Sequence, residues 1–208
     1  MINSNLIKNA EFRNKHNSKP NLKLGSFADM NQTHSDIVLE IDKKGTYEAD
    51  ALVTETKNLK LVVKTADCMP VVISDGKKVG VIHIGWKGVE NKIFFKTIKK
   101  FNLSNLKVSI GPHAQKCCYE IKDDLFKKFP KSTIMKQSKK YLDLSKEIER
   151  FCISNNIDFE NSSICTIDSD SFNSYRRDST NLRQWSICLL YTSPSPRDLS
   201  TSRMPSSA

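Results

Sequence analysis

Residues 59–83 read LKLVVKTADCMPVVISDGKKVGVIH, and this stretch decides the fold. It holds three β-branched runs, residues 59–64, 70–74 and 79–83, and β-branched residues favour a pleated, packed surface. Asp75-Gly76 separates the second and third runs, a pairing that marks a tight hairpin. Leu61-Val62-Val63 and Val71-Val72-Ile73 are continuously apolar rather than alternating. Such strands are buried on both faces, so they belong at the centre of a covered sheet.

Outward from this centre, residues 37–41 and 51–54 read as further strands, with Lys44-Gly45 as a turn. Residues 1–24 show no period and predict irregular structure. On the other side, Gly85-Trp86-Lys87-Gly88 interrupts the strand pattern. A helix is expected over residues 89–101, with Phe94, Ile98 and Phe101 on one face. Residues 106–110 return to strand and end at Gly111-Pro112. Asp123 or Asp124 is expected to cap a short helix that stops at Pro130, and Asp143 to cap a second helix with Leu144, Ile148, Phe151 and Cys152 inward. Residues 163–167 read as a last strand. Residues 191–208 are Ser/Pro-rich and cannot build a core, so they read as a non-native tail outside the functional chain.

The 208 residues, 38% hydrophobic and 27% charged, suit one globular domain. No run approaches the roughly 20 apolar residues of a membrane helix, and the polar N-terminus lacks a secretory pattern. The expectation is a cytoplasmic protein with no membrane contact. In that compartment the six cysteines are thiols, ligands or nucleophiles rather than disulfides. Cys152, Cys165 and Cys188 lie among apolar residues and read as small core residues. The net charge of +10 comes from dispersed lysines without aromatic interleaving or a nucleic-acid motif. It predicts a solvated surface whose field favours phosphate-bearing substrates, with no nucleic-acid partner.

Chemistry concentrates at strand ends. His34 lies in the polar segment before a strand, Cys68 follows Thr65-Ala66-Asp67, and His83 ends an apolar run before Gly85. One thiolate and two imidazoles suit Zn²⁺, and three protein ligands leave a fourth position open, as catalytic sites do. Spacing alone does not pair them, because the chain has no CxxC or HxxxH motif.

The ordered series Gln32-Thr33-His34, Asp50-Ala51-Leu52-Val53, Thr65-Ala66-Asp67-Cys68, His83-Ile84-Gly85-Trp86-Lys87-Gly88, Ile110-Gly111-Pro112, Tyr119-Glu120-Ile121 and Ser174-Tyr175-Arg176-Arg177-Asp178 resembles the YfiH-type laccase-domain family. The resemblance covers roughly residues 31–190 as the catalytic domain. On that resemblance, residues 1–30 are expected to be a divergent or truncated N-terminal segment. It implies an α/β (α+β) fold, a mixed-sheet sandwich, with His34, Cys68 and His83 as metal ligands. It also implies purine nucleoside phosphorolysis with inorganic phosphate, and adenosine deamination, on adenosine, inosine or S-methyl-5'-thioadenosine. Departures are Ser35 after the first histidine, Lys87 in place of arginine, and Leu182 before Arg183, where the family usually carries glycine at the first and third of these positions.

On this reading Cys68, His83 and Asp67 serve catalysis, with Asp67 orienting a ligand or shuttling a proton. Arg176 and Arg177, in an extended segment, would point opposite ways, one to phosphate and one to a structural ion pair. Arg183 is a second anion ligand, and Trp86 either stacks a base or packs. Cys118 and Tyr119 line the pocket or the core, His113 is a loop residue, and Phe172 packs. Rival readings are a peptidoglycan editing factor, a metal-free thiol hydrolase using Cys68 and His83, and a copper-dependent polyphenol oxidase. A four-copper laccase centre needs many more histidines than the four present; copper in the single site remains an alternative to zinc.

Overall fold

The computed structural model describes residues 1–19 and 26–190. The expected non-native tail lies outside the described residues. In chain order the strands are β1 (Ile2–Asn3), β2 (Ala10–Phe12), β3 (Phe27–Met30), β4 (Val38–Glu40), β5 (Gly45–Tyr47), β6 (Ala51–Thr54), β7 (Lys60–Thr65), β8 (Met69–Ser74) and β9 (Val79–Ile84). Helices α1 (Trp86–Glu90) and α2 (Ile93–Ile98) follow, then β10 (Lys107–Ile110), β11 (Glu120–Ile121) and α3 (Asp123–Lys128). The chain continues through β12 (Thr133–Lys136), β13 (Lys139–Leu142), α4 (Lys146–Ser154), β14 (Asp158–Asn161), α5 (Tyr175–Asp178) and β15 (Gln184–Leu189).

One six-stranded sheet has the order β1-β2-β15-β7-β3-β5, and a second has the order β14-β10-β8-β9-β6-β4. Parallel pairs (β3 with β5 and β7, β4 with β6, β10 with β14) mix with antiparallel ones. The expected mixed α/β sandwich is the architecture found.

The alternation of side chains explains the layering. Leu52, Val72, Val79 and Val81 of the second sheet meet Leu61, Val63, Met30, Phe12 and Cys188 of the first in one apolar cluster. Their neighbours Val53, Val71, Ile73, Ile82 and Ile84 face the other way and pack under Ile93, Phe94, Ile98 and Ile148 of the helices. The central strands β8 and β9 are therefore covered on both faces, and Leu61 to Val63 and Val71 to Ile73 are fully buried, as their unbroken apolar runs require. Cys152, Cys165, Cys188 and Phe172 are buried as expected.

Several expectations are corrected. Residues 1–19 are not irregular: β2 pairs with β15, and the Phe12 ring lies where a side chain at Gly111 would be, 2.2 Å from its Cβ position. Ser4 and the Asn5 amide donate to Glu160 on β14, tying the start of the chain to the second sheet. The expected helix over residues 89–101 is two short helices, because Lys92 adopts a left-handed conformation (φ 60°) between them. Asp123 is the first residue of α3 and caps nothing. Asp143 accepts from Ser145 Oγ instead of capping α4 directly. Residues 163–167 make only a His113–Cys165 bridge, while the strand beside β10 is β14, earlier in the chain. Arg176 and Arg177 sit on the short helix α5 rather than an extended segment, since Ser174 accepts from the Arg177 amide and caps the turn.

Candidate metal centre and active site

Three connections at one end of the sandwich converge. His34 follows β3, Cys68 lies in the turn between β7 and β8, and His83 is near the end of β9. Their ligand atoms all lie within 4.8 Å of one another. His34 Nε2 is 3.5 Å from Cys68 Sγ, and the two imidazole rings meet edge to face with centroids 4.8 Å apart. Gly85 makes the approach feasible. A Cβ there would stand 3.0 Å from His34 Cδ2 and 3.1 Å from Cys68 Sγ.

Asp50, fully buried before β6, organises the centre. Its Oδ1 is 2.7 Å from His83 Nδ1, which fixes that ring and turns Nε2 toward Cys68 and His34. The same carboxylate accepts from the backbone amides of Thr33, His34 and Ser35 and from Ser35 Oγ. His34 is thereby held in a left-handed conformation, φ 61°. Burial raises the Asp50 carboxyl, but hydrogen bonds from His83 and Ser35 outweigh it and bring the pKa down to about 2. Ser35 thus supplies a hydroxyl to the clamp where the family pattern has glycine. Asp50 is not among the expected site residues, although it opens the Asp50-Ala51-Leu52-Val53 segment of the family-like series; only the fold brings its carboxylate to His83 and residues 33–35.

Burial also raises the Cys68 thiol, yet the charge of His83 and hydrogen bonds from both histidines bring it down to about 6. Burial lowers His83, while the Cys68 thiolate and Asp50 raise it to about 9. This donor set of one ready thiolate and two oriented imidazoles fits a borderline-soft cation with an open position.

The centre lies in a cleft of about 740 Å³, within the range of small-molecule sites. His34, Asp67, Cys68, His83, Trp86, Tyr119, Arg176 and Arg183 all line it, so nearly the whole expected set is brought together. Tyr175 and Lys64 also line it and were not anticipated.

Asp67 does not reach the imidazoles with its hydrogen bonds. Its Oδ1 accepts from Thr166 Oγ1, and its Oδ2 from Ser174 Oγ and the Arg176 amide, so it fastens α5 to the centre. Arg176 lies over the Tyr119 ring and donates to the Glu120 carbonyl. Arg177 is directed away from the cleft. It donates to the carbonyls of Thr166, Ile167, Ser169 and Phe172 and pairs with Asp178. Arg183 folds onto the carbonyls of Thr180 and Leu182 at the rim. Trp86 is half-buried, with Lys128 over its ring. Tyr119 is pushed up to about 12 by burial and by Cys68, so its hydroxyl stays protonated. His113 is fully buried with Nδ1 on the Gly111 carbonyl, and burial lowers its pKa; it stands apart from the centre.

Among the described residues no helix is long and apolar enough to cross a membrane. The profile of the multi-copper polyphenol oxidoreductase laccase family matches residues 8–190. A protein of Clostridium acetobutylicum named purine nucleoside phosphorylase is 40% identical over 165 residues, covering 72% of this chain and 70% of its own. One of the same name from Aquifex aeolicus is 32% identical over 171 residues, covering 77% and 81%. The crystal structure of Bacillus licheniformis hypothetical protein YfiH superposes with a TM-score of 0.70 at 26% identity, covering 80% of this chain and 75% of that one. A Neisseria meningitidis protein gives 0.70 at 28% identity, covering 79% and 76%. With the profile spanning nearly all the described residues, the chain belongs to the multi-copper polyphenol oxidoreductase laccase family.

Proposed function

We propose that this chain is a zinc-dependent purine nucleoside phosphorylase that also deaminates adenosine, with adenosine, inosine and S-methyl-5'-thioadenosine as substrates. The observation that carries this reading is the convergence of His34, Cys68 and His83 at the floor of a cleft walled by Arg176 and Arg183. The names of the relatives support the phosphorolysis, and the donor chemistry supports zinc.

When bound, Zn²⁺ in this donor set supplies Lewis-acid activation of water at neutral pH. The protein's own groups do the rest. Arg176 and Arg183 bind inorganic phosphate at the cleft wall, where bidentate guanidinium contacts match its geometry. In phosphorolysis a phosphate oxygen bonds to the anomeric carbon as the glycosidic C–N bond breaks. The electron pair leaves with the purine, which takes up a proton. Trp86 and the protonated Tyr119 flank the base, and Asp67 acts as a positioning residue by holding Arg176. In deamination a water oxygen replaces the exocyclic amine, which leaves as ammonia.

The test is chromatographic analysis of adenosine with and without phosphate, comparing the parent with His83→Ala. The parent should form adenine and ribose 1-phosphate only with phosphate, and inosine without it. His83→Ala should lose at least the roughly 10–100-fold that follows removal of a mere outer-shell partner. Equal turnover by both proteins would remove the centre from the reaction.

The family's description favours a second reading, copper-dependent oxidation of phenols at the same donor set. Stoichiometric copper in protein expressed without added copper, together with oxygen uptake on phenols, would select it over the nucleoside reading.

A further inference from the structure

A second sulfur cluster lies outside the cleft. Cys117, Cys118 and Cys165 bring their Sγ atoms within 4.8 Å of one another, and the first two are 3.2 Å apart. All three are free thiols, with Cys117 exposed, Cys118 half-buried and Cys165 buried. None lines the cleft that holds Cys68.

The fold assembles this cluster from two segments about 50 positions apart. The His113–Cys165 bridge aligns them, with the His113 amide on the Ile164 carbonyl and the Thr166 amide on the His113 carbonyl. A turn then closes through the Cys118 and Tyr119 amides on the Gln115 carbonyl, which presents Cys117 and Cys118 toward Cys165. The Gln115 amide points at Cys165 Sγ at 3.5 Å, the backbone contact that stabilises a sulfur carrying negative charge. The hollow beside them, about 400 Å³, is open to solvent and also lined by Asp168 and Glu149.

We propose that Cys117, Cys118 and Cys165 form a second metal site, selective for a soft cation such as Cu⁺. Three thiolates around one cation with bonds of about 2.3 Å lie about 3.8–4.0 Å apart, and the observed cluster needs only small side-chain rotations to reach this. Thiolates without imidazole select the softer cations, unlike the mixed donors of the cleft. Binding forms three metal–sulfur bonds and releases three thiol protons to solvent. No electron transfer is involved. The bound cation would join the turn at residues 115–119 to the segment around Cys165. That turn leads directly into Tyr119 and Glu120, on which Arg176 rests. The site would therefore brace one wall of the cleft.

The experiment uses Cd²⁺ alone as probe, added to the full chain carrying Cys68→Ala, which removes the sulfur of the cleft. The expected result is uptake of roughly one Cd²⁺ per chain with an ultraviolet thiolate-to-cadmium band and a raised melting temperature. Adding Cys117→Ser, at an exposed position, should remove about a third of the band and weaken binding about tenfold or more. Should Cys68→Ala fail to fold, the parent and Cys117→Ser alone serve instead, with about two and about one tightly bound Cd²⁺ expected. Absence of the band, a band unchanged by Cys117→Ser, or loss of two of the three thiols to a disulfide without metal uptake would each overturn the proposal.

Discussion

The two sulfur clusters sit in one sandwich and differ in what surrounds the sulfur. Cys68 has two imidazoles beside it and a buried carboxylate behind one of them, and its thiol is brought down to about 6. Cys118 has only thiols beside it; burial and those neighbours push it up to about 12. Burial acts in the same direction on both, so the neighbours decide. A thiolate is ready at neutral pH where positive or donating groups face it, and needs a cation to form where other thiols do. The first cluster also opens into a cleft with two arginines, while Cys117 and Cys165 of the second line a separate hollow with the carboxylates of Asp168 and Glu149.

The sharpest way to break this contrast is to remove its organising carboxylate. Asp50→Ala deletes the His83 hydrogen bond and the clamp on residues 33–35, and should lower metal affinity of the cleft about 10–100-fold. Competition against a chelator measures it, and Cd²⁺ uptake in the thiol cluster should not change. Gly85→Ala comes next. The new methyl crowds His34 and Cys68, so metal affinity should fall about tenfold while circular dichroism stays native. An unchanged affinity would show that the glycine is not needed for the approach.

The two neighbouring arginines give a smaller contrast. Arg176→Ala should raise the KM for phosphate about tenfold or more with little change in melting temperature. Arg177→Ala, which removes a donor from four carbonyls, should cost about 1–3 kcal/mol of stability with phosphate affinity kept. Denaturant unfolding and a phosphate titration separate the outcomes; exchanged phenotypes would reverse the assignment.

The smallest effect is pH-dependent and concerns the N-terminal strands. Burial raises Glu160, but donors Ser4, Ser109 and the Asn5 amide outweigh it and lower its pKa from 4.5. Its contribution is therefore full above the unfolded value near 4.5 and fades as pH falls through the lower folded value. Amide exchange in β2 should accelerate in that acid range, and Glu160→Gln should remove the pH dependence.

The legible parts of the chain are those whose signal is local. The runs on β7, β8 and β9 declared themselves by unbroken apolar content, and Cys68 and His83 by strand ends opening on polar or glycine-bearing turns. The grouping of His34 with them came from the family pattern, since their spacing along the chain carries no ligand motif. What was not legible depends on distant partners. Asp67 holds α5 from more than 100 residues away, so an extended reading of Arg176 and Arg177 was the local default. The β12–β13 turn uses Gln137 and Ser138 at φ 45° and 64° without glycine, and hid its hairpin. Lys92 breaks a helix with neither glycine nor proline. Strands β1 and β2 are too short to show a period.

The convergence of His34, Cys68 and His83 on one cation is tested most directly by zinc X-ray absorption on the Cys117→Ser protein loaded with no more than one zinc per chain, in which the thiol cluster is weakened. One sulfur and two imidazole nitrogens around zinc are expected, with the imidazole signal halved in His83→Ala. A sulfur-only shell, or a spectrum indifferent to His83→Ala, would contradict the account.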